Sequence, residues 1–244
     1  MKKLLISLIV LILLGGVAYA GYQWNQGQIL EGPPAPDGTR IDEISEEPEL
    51  SPTLNIEMPF YSQAPHANWD YPWQEACEEA SILLVANLYK DLDLDLEEFN
   101  TELLRLVDWE VDYFGAYEHT SVEQTVLMME INYGLGSVIH EDPSFEDIQT
   151  ILNNGHLIVA PFAGKLLENP NFRDGGPTYH MTVIKGYDAE KQQIVTHDVG
   201  TRNGANYVYS WETIEKSLHD WHPSDMLLGD KLIIEVIPFK DVHQ

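Results

Sequence analysis

The sequence predicts an α+β domain, an N-terminal helical part packed on a mostly antiparallel sheet. From Glu75 to about residue 153, apolar residues recur at spacings of three and four, the period of a half-buried helix. After Leu157 the apolar residues fall instead into short runs of strand length, separated by Gly, Asn and Asp. Because the two patterns are segregated along the chain, they favour helices on an antiparallel sheet over alternating βαβ units.

Residues 1–20 have the layout of a targeting segment. Lys2 and Lys3 precede an apolar run from Leu4 to Leu14, and Ala18-Tyr19-Ala20 fits a small-x-small cleavage site. The run is shorter than the roughly 20 residues a spanning helix prefers, so export with cleavage after Ala20 is expected. An uncleaved membrane anchor is the alternative, since Val17, Ala18 and Tyr19 extend the apolar stretch. Residues 21–54 read as an acidic, Pro-rich linker. Gly32-Pro33-Pro34-Ala35-Pro36-Asp37-Gly38 can hold neither a helix nor a sheet ladder, and seven acids between Glu31 and Leu50 face Arg40 alone. The folded domain is expected over 55–244.

Within it, residues 56–61 contain Pro59 and read as an edge strand or extended lead-in. A loop rich in Pro, Asn and Asp follows, from Gln63 to Trp73. Ala80, Leu83, Leu84 and Leu88 then mark a helix from Glu75, with no Gly or Pro before Tyr89. Asp95 and Glu98 have the spacing of a capping box and open a second helix. Helices are expected over 121–133, 144–153 and 211–221, and strands over 157–162, 180–187, 191–198, 206–209 and 232–239.

The composition excludes several functions. The chain carries 40 acidic and 13 basic side chains, a net charge of −27, which removes bulk-charge binding of nucleic acid and polybasic membrane attachment. At 44% hydrophobic residues it is too apolar for an acidic disordered tail. A single cysteine, Cys77, rules out an intrachain disulfide.

Cys77 sits in the first turn of its helix, where the helix's partial positive charge favours thiolate. A lone cysteine can equally be a small buried hydrophobe. A nucleophile needs an imidazole and an orienting carboxylate. If the hairpin turn is centred near Ala189, Tyr187 faces Lys191 and His180 faces Asp198, on one side of the sheet. In that register His197 points to the other face, as a structural or surface histidine.

Met58-Pro59-Phe60-Tyr61-Ser62-Gln63, Pro72-Trp73-Gln74-Glu75-Ala76-Cys77, Tyr179-His180-Met181-Thr182-Val183-Ile184-Lys185-Gly186-Tyr187-Asp188 and His197-Asp198-Val199-Gly200 together resemble the papain-like cysteine peptidases of the bacteriocin-leader-processing (double-glycine) type, and more closely their stand-alone bacterial relatives. The resemblance covers roughly residues 55–221. It implies the papain-like fold, Cys77 as nucleophile, His180 as general base and then acid, and Asp198 as the group orienting His180. It also implies an upstream Gln as oxyanion donor, Gln63 first and Gln74 second. The chain departs from the family at Glu78, where Gly is usual, and Glu79 follows. Carboxylates beside a thiol disfavour its ionisation.

The expected function is therefore that of an exported cysteine peptidase, secreted or tethered, acting on a peptide or protein substrate without a cofactor. The alternatives are an inactive papain-like binding module and a cell-wall peptide amidase of the same superfamily. Leader-processing relatives are joined to transporter modules, and this sequence shows neither multiple spans nor a phosphate-binding loop, so double-glycine specificity does not carry over. Two further clusters have structural readings. Asp91-Leu92-Asp93-Leu94-Asp95 lacks the glycine a calcium loop needs at Leu96, and His219 with His222 lacks a third ligand in its segment.

Overall fold

A computed structural model describes residues 36–38, 40 and 50–238. The expected targeting segment, most of the expected linker and Phe239 of the last predicted strand lie outside the described residues. Helix α1, Cys77–Tyr89, is buried from Cys77 through Asn87. From Ile82 to Ala86 its sequence is a continuous apolar run, as a helix enclosed by other elements requires, while Glu78, Glu79, Ser81 and Asn87 are polar residues buried with it. It lies against α2 (Leu96–Phe114), α3 (Val122–Tyr133) and the sheet. Helix α2 buries one stripe, Phe99, Leu103, Leu106, Val107 and Glu110, and leaves its other side to water. The capping box expected at Asp95 and Glu98 is formed in full. Ser121 and Ser144 cap α3 and α4 (Phe145–Asn153) in the same way.

Among the described residues the sheet has seven strands: β1 (Thr53–Asn55), β2 (Gly136–Glu141), β3 (Leu157–Ala163), β4 (Tyr179–Asp188), β5 (Gln193–His197), β6 (Tyr207–Ser210) and β7 (Leu232–Ile237). Their order is β2-β7-β3-β4-β5-β6, and β1 pairs β4 beyond the end of β3. Every pairing is antiparallel. The α+β architecture expected from the segregated patterns is the one observed.

Several local expectations need correction. Of the two readings of residues 56–61 the extended lead-in is the one observed, anchored by the Ile56 amide on the Lys185 carbonyl, whereas a strand that was not expected, β1, lies just before them and begins within the expected linker. Strand β2 falls among the helices. It is a half-exposed sheet edge, so no apolar alternation marks it, and Val138 and Ile139 face water. The helix expected to reach 221 is α5, Trp211–Ser217. It stops because Leu218 turns to an extended conformation and bridges Phe162.

The β4–β5 hairpin also differs from the expected register. Tyr187 pairs Ile194 and Asp188 pairs Gln193, so four residues form the turn. Lys191 folds back within it, its amide and Nζ both donating to the Asp188 carboxylate. The register then shifts at Lys185, and Val183 pairs His197. All ten residues of β4 are buried, so neither turn length nor bulge leaves a trace in its polarity.

Gly186 is where β1 crosses closest to β4. A Cβ there would stand 2.3 Å from the Leu54 carbonyl oxygen and 2.8 Å from Asn55 Cα, both backbone atoms. Gly186→Ala is therefore expected to destabilise the fold by about 1–3 kcal/mol, the usual cost of overpacking a well-filled site. Urea denaturation measures this, and an unchanged midpoint would show that β1 is not held as described.

Candidate active site

Strand β4 carries His180 in a fully buried run. Its Nε2 lies 2.8 Å from Asp198 Oδ1. Continuing the pairing beyond Val183 and His197 puts Asp198 opposite Thr182, not opposite His180. The two residues still share a face, because the bulge at Lys185 restores the parity that the four-residue turn would have reversed. Position 200 is the one beside the His180 ring. A Cβ on Gly200 would come within 2.7 Å of His180 Cε1, so the close approach of this backbone requires glycine.

Asp198 is held from several directions. Besides His180 it accepts from Asn169 Nδ2 at 3.1 Å, the Gly200 amide at 3.0 Å and the Tyr209 hydroxyl. Burial alone would raise its pKa, but the His180 charge, the His180 hydrogen bond and the Tyr209 and Gly200 donors more than offset it, and the carboxyl is held below its ordinary value. His197, on the other face, is buried. Its Nδ1 accepts the Asn206 amide and its Nε2 donates to the Met58 carbonyl. Burial, then the nearby Lys185 cation, push its pKa down to about 3, so it is a neutral structural residue.

Helix α1 begins not at the expected Glu75, which belongs to a separate 3-10 turn over Trp73–Glu75, but at Cys77 itself, which lies in the first turn as expected. Met181 brings β4 to it. This residue lies opposite Pro161, which has no N–H, and beyond the start of the β5 pairing at Val183. Its backbone is thereby left to α1: Ser81 Oγ donates to the Met181 carbonyl at 3.2 Å, and the Met181 N–H serves Cys77 Sγ. The residue after His180 is thus bonded to the thiol.

Glu78 Oε2 also lies 2.9 Å from Cys77 Sγ. Its other oxygen accepts the Thr120 amide at 3.0 Å, and Thr120 Oγ1 donates to Glu110 Oε1 at 2.6 Å. Glu79 is fully buried, and no donor from outside this acidic cluster reaches either of its oxygens. The charges of Glu110 and Glu78 add to burial in favouring its protonated form. Burial is the largest cause of the raised pKa of all three acids. Glu78 is pushed up to about 8, Glu110 to about 7, and Glu79 well above the carboxylate range. Burial first, then the Glu78 charge and hydrogen bond, also raise the Cys77 thiol, against the lowering by the Met181 amide.

Of the two oxyanion candidates, Gln63 is buried and Gln74 is exposed in a 3-10 turn over Trp73–Glu75. Gln63 ties the site's two loops together: its amide donates to the Val199 carbonyl and its Nε2 to the Trp73 carbonyl, both at 2.9 Å. An amide nitrogen has two hydrogens, so one remains for an oxyanion. Sequence reasoning missed Glu110, Thr120, Asn169 and Tyr209. Glu110 left a signal, since it continues the 99-103-106 stripe of α2 as an acid at a buried position. The others are brought in by loops and distant strands, and nothing local marks them. His219 and His222 are engaged with backbone groups, His219 Nδ1 with the Gly229 carbonyl and His222 Nδ1 with the Ser224 and Asp225 amides.

The profile of the peptidase C39-like family matches residues 55–225. The chain belongs to that family. Among solved structures, one described as a C39-like peptidase from Bacillus anthracis superposes with a TM-score of 0.50 at 12% identity, covering 74% of this chain and 94% of that one. At that identity the likeness concerns the fold, which is papain-like and α+β. Xylellain, a cysteine protease from Xylella fastidiosa, aligns over 86% of this chain and 99% of its own with 12% identity and a TM-score of 0.36. No curated protein matches the chain.

Two predictions follow from the buried carboxyls of this C39-like domain. In Glu78→Gln the negative charge beside the thiol is lost, and the midpoint pH for alkylation of Cys77 by iodoacetamide should fall by about one unit or more. An unchanged midpoint would detach Glu78 from the thiol's ionisation. The second prediction concerns stability. Unfolded glutamates titrate near about 4.3, so the folded protein holds extra protons from there to about 7 or 8, and stability is lost as pH rises through that window. Asp198 works in the opposite sense, its contribution being lost as pH falls through its lowered value. The Tm should therefore fall from pH 5 to pH 8, and Glu79→Gln should flatten the fall; a level Tm in the wild type would contradict this.

Proposed function

We propose that this chain is a cysteine peptidase in which Cys77, His180 and Asp198 form the triad and Gln63 assists at the oxyanion. The observation that carries the reading is the buried His180–Asp198 pair, fixed one residue from the Met181 amide that serves the Cys77 sulfur. With Nε2 committed to Asp198, Nδ1 is the ring nitrogen left for the thiol. Cys77 gives its proton to His180 as Sγ bonds the scissile carbonyl carbon. The C–N bond then breaks, and His180 returns the proton to the departing amine. Water, deprotonated by His180, releases the acid product and restores the thiol. The oxyanion formed in both halves is met by Gln63 Nε2 and the Cys77 amide.

The substrate class is a peptide or protein outside the cytoplasm, reached by export through residues 1–20, whether cleaved after Ala20 or retained as an anchor. The Glu78 contact favours a second reading, a papain-like binding module with a slow thiol, because it stabilises the protonated sulfur. Hydrolysis of a peptide library and of peptidoglycan fragments separates these readings and tests the amidase alternative. Cys77→Ala should abolish turnover, His180→Ala should lower kcat roughly 10²–10⁴-fold, and Gln63→Ala roughly 10²–10³-fold. Turnover that survives Cys77→Ala would refute the peptidase reading. Absent turnover, with Cys77 alkylation indifferent to His180→Ala, would establish the binding module.

A further inference from the structure

The bulge residue of β4, Lys185, is buried with only 1% of its surface exposed. A buried ammonium ordinarily has an anion beside it. Here Nζ donates to two neutral groups, Asn55 Oδ1 and Asn206 Oδ1. Among the described residues the nearest opposing charge is that of Glu57, which acts from beyond contact distance and is itself 3.7 Å from Arg40 Nε. The neighbouring His197 is neutral and supplies no counter-charge. Burial accordingly lowers the Lys185 pKa to about 7.

Lys185 lines a cleft of about 1040 Å³. Its walls include Leu88 and Tyr89 from the C-terminal end of α1, whereas Cys77 begins that helix. The twelve steps from Cys77 to Tyr89, at about 1.5 Å each, separate the two places by about 18 Å, so the cleft is distinct from the candidate active site. Charge is distributed unequally within it. Lys185 is at the buried end, while the exposed lining carries three carboxylates, Asp37, Glu57 and Asp91, against the one guanidinium of Arg40, so the rim keeps an excess of acid. Between them lie apolar surfaces of Met58 and Pro59.

We propose that this cleft is a second binding site, taking a small zwitterion, a short peptide or free amino acid, with its carboxylate on Lys185 and its ammonium toward the Glu57 and Asp91 rim. A carboxylate there would supply the counter-ion that Nζ lacks, and the rim acids exclude a purely anionic ligand in favour of one that carries a cation at its outer end. The site does not depend on the peptidase reading.

The test is calorimetric titration of the full-length Cys77→Ser protein, which cannot turn the ligand over through the thiol, with alanyl-alanine, its C-terminal amide and its N-acetyl form. The free dipeptide should bind, and amidation should weaken it at least about tenfold. Acetylation should weaken it less, because the rim carboxylates are solvated. Lys185→Met should remove binding while circular dichroism stays unchanged. Should that variant fail to fold, Glu57→Gln with Asp91→Asn, both at exposed positions, should weaken the dipeptide and leave the N-acetyl form unaffected. Equal affinity for acid and amide, binding that survives Lys185→Met, or no binding of the dipeptide at millimolar concentration would each overturn the proposal.

Discussion

The burial of strand β4 on both faces is the constraint from which the rest of the molecule takes its arrangement. β3 and β1 occupy one edge in succession, β5 the other, and α1 lies against it. Polar groups in such a strand must find partners inside the protein. His180 finds Asp198, Thr182 donates to the His197 carbonyl, Lys185 reaches Asn55 and Asn206, and Asp188 closes the turn through Lys191. Each of these contacts fixes a different neighbouring segment against β4. The backbone of Met181, short of the β5 pairing, turns instead to α1, its carbonyl accepting from Ser81 Oγ.

The same burial sets the electrostatics around Cys77. A helix N-terminus favours anions by a fraction of the cost of burying them, so Glu78 and Glu79 respond to burial first and favour their protonated forms at neutral pH, and burial shifts Glu110 in the same direction. That changes what the departure from the family's usual glycine means. A carboxylate fixed at 2.9 Å from sulfur holds the thiol protonated, whereas a neutral carboxyl at the same distance can donate to it. The pair therefore retains a proton that either atom can carry, and the ionisation of the thiol is tied to that of its neighbour.

Much of this was legible in the sequence, for reasons that are local. The capping box at Asp95 depends on residues three apart, the helix starts at Ser121 and Ser144 on the residues just after them, and the apolar recurrence of Ala80, Leu83, Leu84 and Leu88 in α1 on that helix alone. The pairing of His180 with Asp198 was reached through a wrong register, yet the shared face was right, because the longer turn and the bulge each shift parity once and so cancel. What could not be read is contributed from a distance. Tyr209 and Asn169 reach Asp198 only once β6 and the segment after β3 have folded beside it, and Glu110 meets Glu79 only when α2 packs on α1.

The net charge of −27 conceals this division among the acids. Among the described residues many are exposed, as along the outer side of α2, where they repel one another weakly through water. A few are buried, and their charge depends on partners. Asp198 has His180 and three further donors and stays ionised; Glu79 has only another acid and stays protonated. Lys185 presents the same problem with the opposite sign, since its partners are neutral amides. One bulge governs two of these cases. Inserting Lys185 into β4 keeps Asp198 on the His180 side of the sheet, and it also turns a lysine into an interior otherwise supplied with acids. Deleting that residue would thus do more than remove a cation: it would reverse which face of β5 meets His180 and separate the imidazole from its carboxylate.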